Sequence, residues 1–288
     1  AAQDLTPNNW YGVLEMNRRP SNHLNRVTIT LVCFVMAGLV PQHGFAQDSD
    51  VKNDVQSRIQ DSTALRRALS GPDREVTDFV RDEARKPVEV LQFLGIGPGM
   101  TILDVYAAGG YYTFILSKAV GPDGIVYAQN TERGLRFRED RQEISQGEAL
   151  ANKIERGNLR NVRSVVARIA DLDFPAGSLD GILLMQTLHD SYNGNPERAL
   201  NLLLDLKRYL KPGGVIGIED HVGLAGNDNR ELHRMEIAQA IAVSERAGFI
   251  VESSELLRNP RDDHSRGIFD PRLARTTDRF LLRLINPD

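Results

Sequence analysis

Two short stretches hold the residues best suited to chemistry. "LHDSYN" supplies His189 and Asp190, and "IEDHVG" supplies Glu219, Asp220 and His221. A histidine beside a carboxylate can take a proton from a hydroxyl or amine while the carboxylate orients the ring and stabilises its charge. The same residue types can instead bind a divalent metal that acidifies a hydroxyl, and His233 could join either arrangement. A third stretch, "LDVYAAGGYYT", runs from apolar residues into Asp104, then small residues, then Gly109 and Gly110. That is the outline of a nucleotide-cradling turn, where missing side chains let the backbone approach a ligand. Asp262, Asp263 and His264 form one more cluster, which reads as a solvated loop. The sequence assigns no metal site.

These residues must be positioned by regular elements. "REVTDFVRDEARKPVEVLQFLGI" has helical spacing in two pieces, broken near Lys86 and Pro87, with Pro87 in the first turn of the second piece. "MTILDVY" is a short apolar run suited to a buried parallel strand, and the helix "YYTFILSKAV" follows Gly110. "IVYAQN", "VRSVVARI", the start of "LDGILLMQTLHD", "VIGIED", "FIVESSEL" and "DRFLLRL" read as six further strands. Helices are expected over residues 143–157, after Asn195 and Pro196, and over residues 231–247, with "KPGG" ending the second of these. Strands alternating with helices predict an α/β domain with a largely parallel sheet. The irregular stretch 257–277 allows the last two strands to pair antiparallel.

In that order and spacing, several stretches resemble class I S-adenosylmethionine-dependent methyltransferases. They are "ILDVYAAGGYYT", "GPDGIVYAQN", "DLDFPAGSLDGILL", "LKRYLKPGGVIGIEDH", "LHRMEIAQAIAVSERAGF" and "LLRNPRDDH", spread over roughly 200 residues from about Arg74 to the end. More closely, the chain is similar to a bacterial group of predicted methyltransferases that often carry secretion signals. The resemblance implies a Rossmann-like seven-stranded, mostly parallel sheet with a reversed last strand and helices on both faces. The ligand would lie at the C-terminal strand ends. It implies S-adenosyl-L-methionine as cofactor, held by Asp104, Tyr106, Ala108, Gly109 and Gly110. Tyr111 or Tyr112 would stack over it, and the other would pack in the core. Tyr106 and Ala108 stand where the family usually has glycine, and alanine does not easily adopt φ > 0. Asn130 takes the place of the acidic residue that accepts from the ribose hydroxyls. Arg168 aligns with an aspartate that contacts the adenine amino group, so Asp171 is the substitute. In the family order the fourth and fifth strands are neighbours, which would bring His189, Asp190, Asp220 and His221 to the transferred methyl.

The implied function is methyl transfer to an O or N nucleophile of a small molecule. An alternative is a non-catalytic ligand-binding or envelope protein on a decayed methyltransferase fold, supported by Ala108, Asn130 and Arg168. An NAD-dependent oxidoreductase would need G-x-G-x-x-G, which "YAAGGYY" lacks. A net charge of −4 with no long basic stripe disfavours a nucleic-acid partner. Composition says nothing about oligomeric state. From Met16 a basic segment, the apolar "VTITLVCFVMAGLV" and a small-residue site ending at Ala46 match a secretory signal, so a periplasmic or secreted protein is expected. That apolar run is short of the roughly 20 residues a bilayer span needs, so no stable span remains after cleavage. The single cysteine, Cys33, lies inside it, which leaves a mature chain without thiol chemistry. The organisation read is thus 1–46 upstream residues plus signal, 47–73 polar leader and 74–288 methyltransferase-like domain.

Overall fold

A computed structural model describes residues 61–138 and 143–287. The expected signal, Met16 to Ala46, lies outside the described residues. Among the described residues no helix is long and apolar enough to cross a membrane.

The chain enters through a helix over 61–69 (α1), then α2 (Val76–Arg85) and α3 (Pro87–Leu94). The break between α2 and α3 falls where the sequence placed it. Lys86 closes α2 in a left-handed conformation (φ 41°), its amide donating to the Asp82 carbonyl, and Pro87 then opens α3. The described part of the leader is joined to the core, since Leu65 and Leu69 of α1 are buried in one cluster with Leu91, Leu94 and Ile115.

The sheet follows as β1 (Thr101–Val105), β2 (Ile125–Asn130), β3 (Val162–Val166), β4 (Leu179–Met185), β5 (Leu210–His221), β6 (Ile250–Ser254) and β7 (Arg279–Ile285). Its spatial order is β3-β2-β1-β4-β5-β7-β6. The pairs among β1 to β5 are parallel, and β7 lies antiparallel between β5 and β6. The reversed last strand read from the sequence is therefore present. Between the strands lie α4 (Tyr111–Val120), α5 (Glu132–Arg136), α6 (Gln146–Arg156), α7 (Leu188–Gly194), α8 (Pro196–Lys207) and α9 (Ile237–Arg246). α6 begins with a full capping box on Ser145 and Glu148. α8 begins with Asn195 accepting from the Glu197 amide and Pro196 in its first turn.

Two cores flank the sheet. One gathers Leu103, Ile182, Leu203, Leu206, Ile216 and Val243, the other Leu94, Ile102, Phe114, Ile115, Val126 and Leu281. Gly217 is required by this packing, because a Cβ there would lie 2.4 Å from Leu94 Cδ1. Two expectations shift. "KPGG" does not separate helix from strand; it lies within β5, where the β4 register slips between Leu179 and Gly181. The helix expected over 231–247 begins only at Ile237, because His233 is left-handed and Met235 bridges to Val222.

Candidate active site

The loop after β1 takes the path that glycines would give it, without the glycines. Tyr106 (φ 52°) and Ala108 (φ 49°) are both left-handed, as is Gly110 (φ 84°). A side-chain-bearing residue in this region costs about 1–2 kcal/mol, so the geometry is imposed by its surroundings. Gln129 accepts from the Tyr106 amide through its side chain (2.9 Å) and from the Ala107 amide through its carbonyl (2.9 Å). Asn130 accepts from the Ala108 amide (2.9 Å) and donates to the Ala108 carbonyl (3.4 Å). Asp104 is buried beneath the loop and accepts from Thr113 Oγ1 (2.6 Å). Burial pushes its carboxyl up to about 7, and the threonine bond only partly offsets this. The paired glycines serve packing: a Cβ on Gly109 would meet Gln146 Oε1 at 2.7 Å, and one on Gly110 would meet Leu150 Cδ1 at 2.7 Å.

A polar network covers the start of α4. Tyr112 donates to Glu219 Oε2 (2.8 Å), Gln186 donates to Glu219 Oε1 (2.9 Å), and Arg279 pairs with the same oxygen. Burial would raise the Glu219 carboxyl, but Arg279 and Arg85 outweigh it and hold the group down at about 2. Tyr111 donates to Asp82 (2.7 Å), which also takes the Arg74 guanidinium, and Arg85 lies 4.6 Å over the Tyr111 ring. Both tyrosines, weighed for stacking over the cofactor or packing in the core, are buried. The Tyr111 hydroxyl is drawn to Asp82 and the Tyr112 hydroxyl to Glu219.

Strands β4 and β5 are neighbours, with Met185 opposite Glu219, so the polar loops converge as expected. Asp220 is fully buried. Its Oδ1 lies 2.7 Å from His189 Nδ1 and accepts from the His221 amide (2.8 Å), while Oδ2 accepts from the His189 amide (2.9 Å). The other His189 nitrogen, Nε2, lies 3.2 Å from Asp190 Oδ1, and the same oxygen is 3.4 Å from His233 Nδ1. Burial disfavours the charged His189 ring, but the two carboxylates prevail and raise it to about 10. His189 is thereby held in its charged form, with Asp220 and Asp190 at its two ring nitrogens. His221 stands 6.2 Å from His189, ring to ring, with Nδ1 on Thr277 Oγ1 (2.8 Å). Burial lowers it to about 4, so it is neutral at pH 7. The groups that reach solvent are Asp190 (63 % exposed) and His233 (42 % exposed), with Phe269 packed on the His233 ring at 5.2 Å.

The remaining expected contacts fall differently. Asn130 is buried with both amide atoms on the loop backbone, so it braces the loop where a ribose acceptor was expected. Asp171 is held by Arg168 through two bonds (2.6 and 2.9 Å), so the two residues weighed for one adenine contact pair with each other. Asp262 is no solvated group: it forms a buried ion pair with Arg234 (2.9 Å). Sequence reasoning did not single out Arg85, Gln186, Thr277 or Arg279. Gln186 carries no sequence signal, because its importance lies in a left-handed φ of 59° at the end of β4.

A seven-stranded sheet of this order, with its reversed strand and the loop after β1 curled at the ligand-binding edge, defines a class. Residues 123–218 match the methyltransferase domain family. The chain carries the class I S-adenosylmethionine-dependent methyltransferase fold, and S-adenosylmethionine is the cofactor that fold implies. A demethylmenaquinone methyltransferase of Lactococcus lactis subsp. lactis is 31% identical over 132 residues, 46% of this chain and 46% of that one. The Geobacillus stearothermophilus protein of the same name is 28% identical over 127 residues, 44% of this chain and 47% of that one. The chain thus spans about half the length of the curated relatives it matches. Among solved structures, a SAM-dependent methyltransferase from Aquifex aeolicus superposes with TM-score 0.52 at 22% identity, covering 78% of this chain and 97% of that one. The [4+2]-cyclase SpnF superposes with TM-score 0.52 at 18% identity, covering 71% of this chain and 80% of that one. A fold shared with a cyclase does not fix the reaction, so the site must.

The residues present fit the cofactor in part. The left-handed curl and the partly exposed Tyr106 ring suit a nucleoside lying on the loop. A cavity of about 110 Å³ lies beside Asn130, lined also by Leu135, Gly147 and Val166. Pockets for whole ligands are about 300 Å³ or more, so this one takes a fragment.

Proposed function

We propose that the protein transfers a methyl group from S-adenosylmethionine to an oxygen or nitrogen nucleophile of a small molecule. The observation that carries this reading is where the backbone is strained. Of the nine non-glycine residues at positive φ among the described residues, four, Tyr106, Ala108, Gln186 and His233, lie in the loops after β1, β4 and β5 at one edge of the sheet. Strain of this kind persists where the surroundings over-determine it, typically at ligand sites. Strand spacing of about 4.8 Å puts the Asp220 strand about 10 Å from the Asp104 strand, the reach from a cofactor to its acceptor. The sulfonium supplies an activated methyl, so this chain need only align the acceptor, exclude water and manage a proton. Within the loop, Asp104 and the backbone of Tyr106 to Gly110 would hold the cofactor. Asp190 and His233 face the acceptor. His189, charged and anchored by Asp220, holds Asp190 in place. The relatives named for demethylmenaquinone, whose methylation is at carbon, support methyl transfer itself, and the oxygen or nitrogen acceptor rests on the polar loops of this chain.

Titration calorimetry with S-adenosylmethionine tests the reading: binding is expected, and none at millimolar ligand rejects it. A second reading, a ligand-binding protein on a decayed fold, is favoured by Asn130 being spent on the loop. It is separated by turnover: binding without methyl transfer to any phenol, enol or amine acceptor supports it. The export signal belongs to the same proposal. A fusion of residues 16–46 to an export-dependent reporter checks it.

A further inference from the structure

We propose that His189, Asp190 and His233 form a binding site for a divalent transition-metal ion, with Asp220 as the outer group that orients His189. Among the described residues this is the one group of three or more potential ligands whose donor atoms converge, all within 4.8 Å of one another. The spacing matches coordination. Metal–nitrogen and metal–oxygen bonds near 2.0–2.2 Å at a tetrahedral angle put neighbouring donors about 3.3–3.5 Å apart. Asp190 Oδ1 lies 3.2 Å from His189 Nε2 and 3.4 Å from His233 Nδ1.

The surroundings are those of a metal centre. A ligating histidine typically donates its second ring N–H to a carboxylate, which fixes the tautomer. His189 does this with Nδ1 on Asp220 at 2.7 Å, and Asp220 is itself held by the His189 and His221 amides. That leaves Nε2, which must release the proton it carries in the metal-free protein, as the donor atom facing Asp190. His233 is placed through its backbone: its φ of 53° is left-handed, and the next residue, Arg234, is fully buried and bonds the Val222 and Arg266 carbonyls and Asp262. Two imidazoles and one carboxylate leave coordination positions open, as catalytic sites require. The donor set suits a borderline first-row ion such as zinc rather than magnesium or calcium, which prefer oxygen alone.

The site names the acceptor class for the transferase reading, on which this part rests. A phenol or enol hydroxyl would bind the ion and lose its proton to solvent. Its oxyanion would then attack the methyl carbon as the C–S bond breaks, with that electron pair staying on sulfur as the neutral thioether.

The test uses the full chain, stripped with chelator and titrated with Co²⁺ while its visible d–d absorption is followed, without S-adenosylmethionine. Saturable binding competed by Zn²⁺ is expected. Asp190→Asn and His233→Ala change partly exposed side chains, so folding is retained and is checked by circular dichroism. Each should weaken Co²⁺ at least ~100-fold, and Asp220→Asn roughly 10–100-fold, as outer-group losses do. Absence of binding at millimolar Co²⁺, or wild-type binding by both exposed variants, overturns the site. Because cobalt binding is read without cofactor, its failure and the failure of S-adenosylmethionine binding are separate results.

Discussion

Replacing Asp104 by asparagine tests whether the floor of the loop after β1 is a buried acid held neutral. The carboxyl is about 3% exposed, bonds only Thr113 among side chains, and titrates at about 7 rather than 3.8. Its folded pKa lies above its unfolded one, so between these values the folded state binds more protons. Stability from this group is full below pH 3.8 and falls as pH rises toward 7. Each pH unit inside that window is worth about 1.4 kcal/mol. Between pH 5 and pH 8 the wild type should therefore lose about 2–3 kcal/mol relative to Asp104→Asn, whose isosteric amide can still accept from Thr113. For a domain of this size that is about 5–10 °C in Tm. Urea denaturation of both proteins from pH 5 to pH 8 reads the difference directly. A constant gap across that range would refute the buried neutral acid. A cationic sulfonium on the loop would favour the ionised form. Saturating S-adenosylmethionine should therefore flatten the wild-type dependence and leave that of the variant unchanged.

Three other perturbations probe the frame around the site. Ala108→Gly relieves a left-handed alanine but frees the unfolded chain, so a net gain of roughly 0.5–1 kcal/mol is expected in urea melts. A loss would mean that the φ of 49° is not strained in solution. Glu219→Gln keeps an oxygen that can accept from Arg279 but removes the charge that neutralises its buried guanidinium, which should cost about 3–5 kcal/mol by equilibrium unfolding. Leu65→Ala on α1 should cost about 2–5 kcal/mol if the helix over 61–69 is integral to the core, and almost nothing if it docks loosely.

The frame was legible in the sequence because its signals are local. Apolar runs of strand length, Pro87 and Pro196 in first turns and Asn195 as a cap act over a few residues, and each element they mark is present. The pairing of His189 with Asp220 was also foreseeable once β4 and β5 were taken as neighbours. What sequence could not decide was where each polar atom spends its hydrogen bonds. Asn130 reads as a ribose acceptor by position, yet the Ala108 backbone claims both of its amide atoms. Tyr111 opens a helix beside the loop after β1, yet α2 offers Asp82 from 29 residues upstream. Tyr106 and Ala108 looked incompatible with a glycine-like turn, but Gln129 and Asn130 hold their amides in it. The protonation of His189 depends on Asp190 and Asp220 meeting opposite sides of one ring. Periodicity and capping are properties of neighbours along the chain. Buried hydrogen bonds and charge pairs are settled between segments far apart in sequence, where desolvation makes each partner matter and only the packed fold decides which group arrives first.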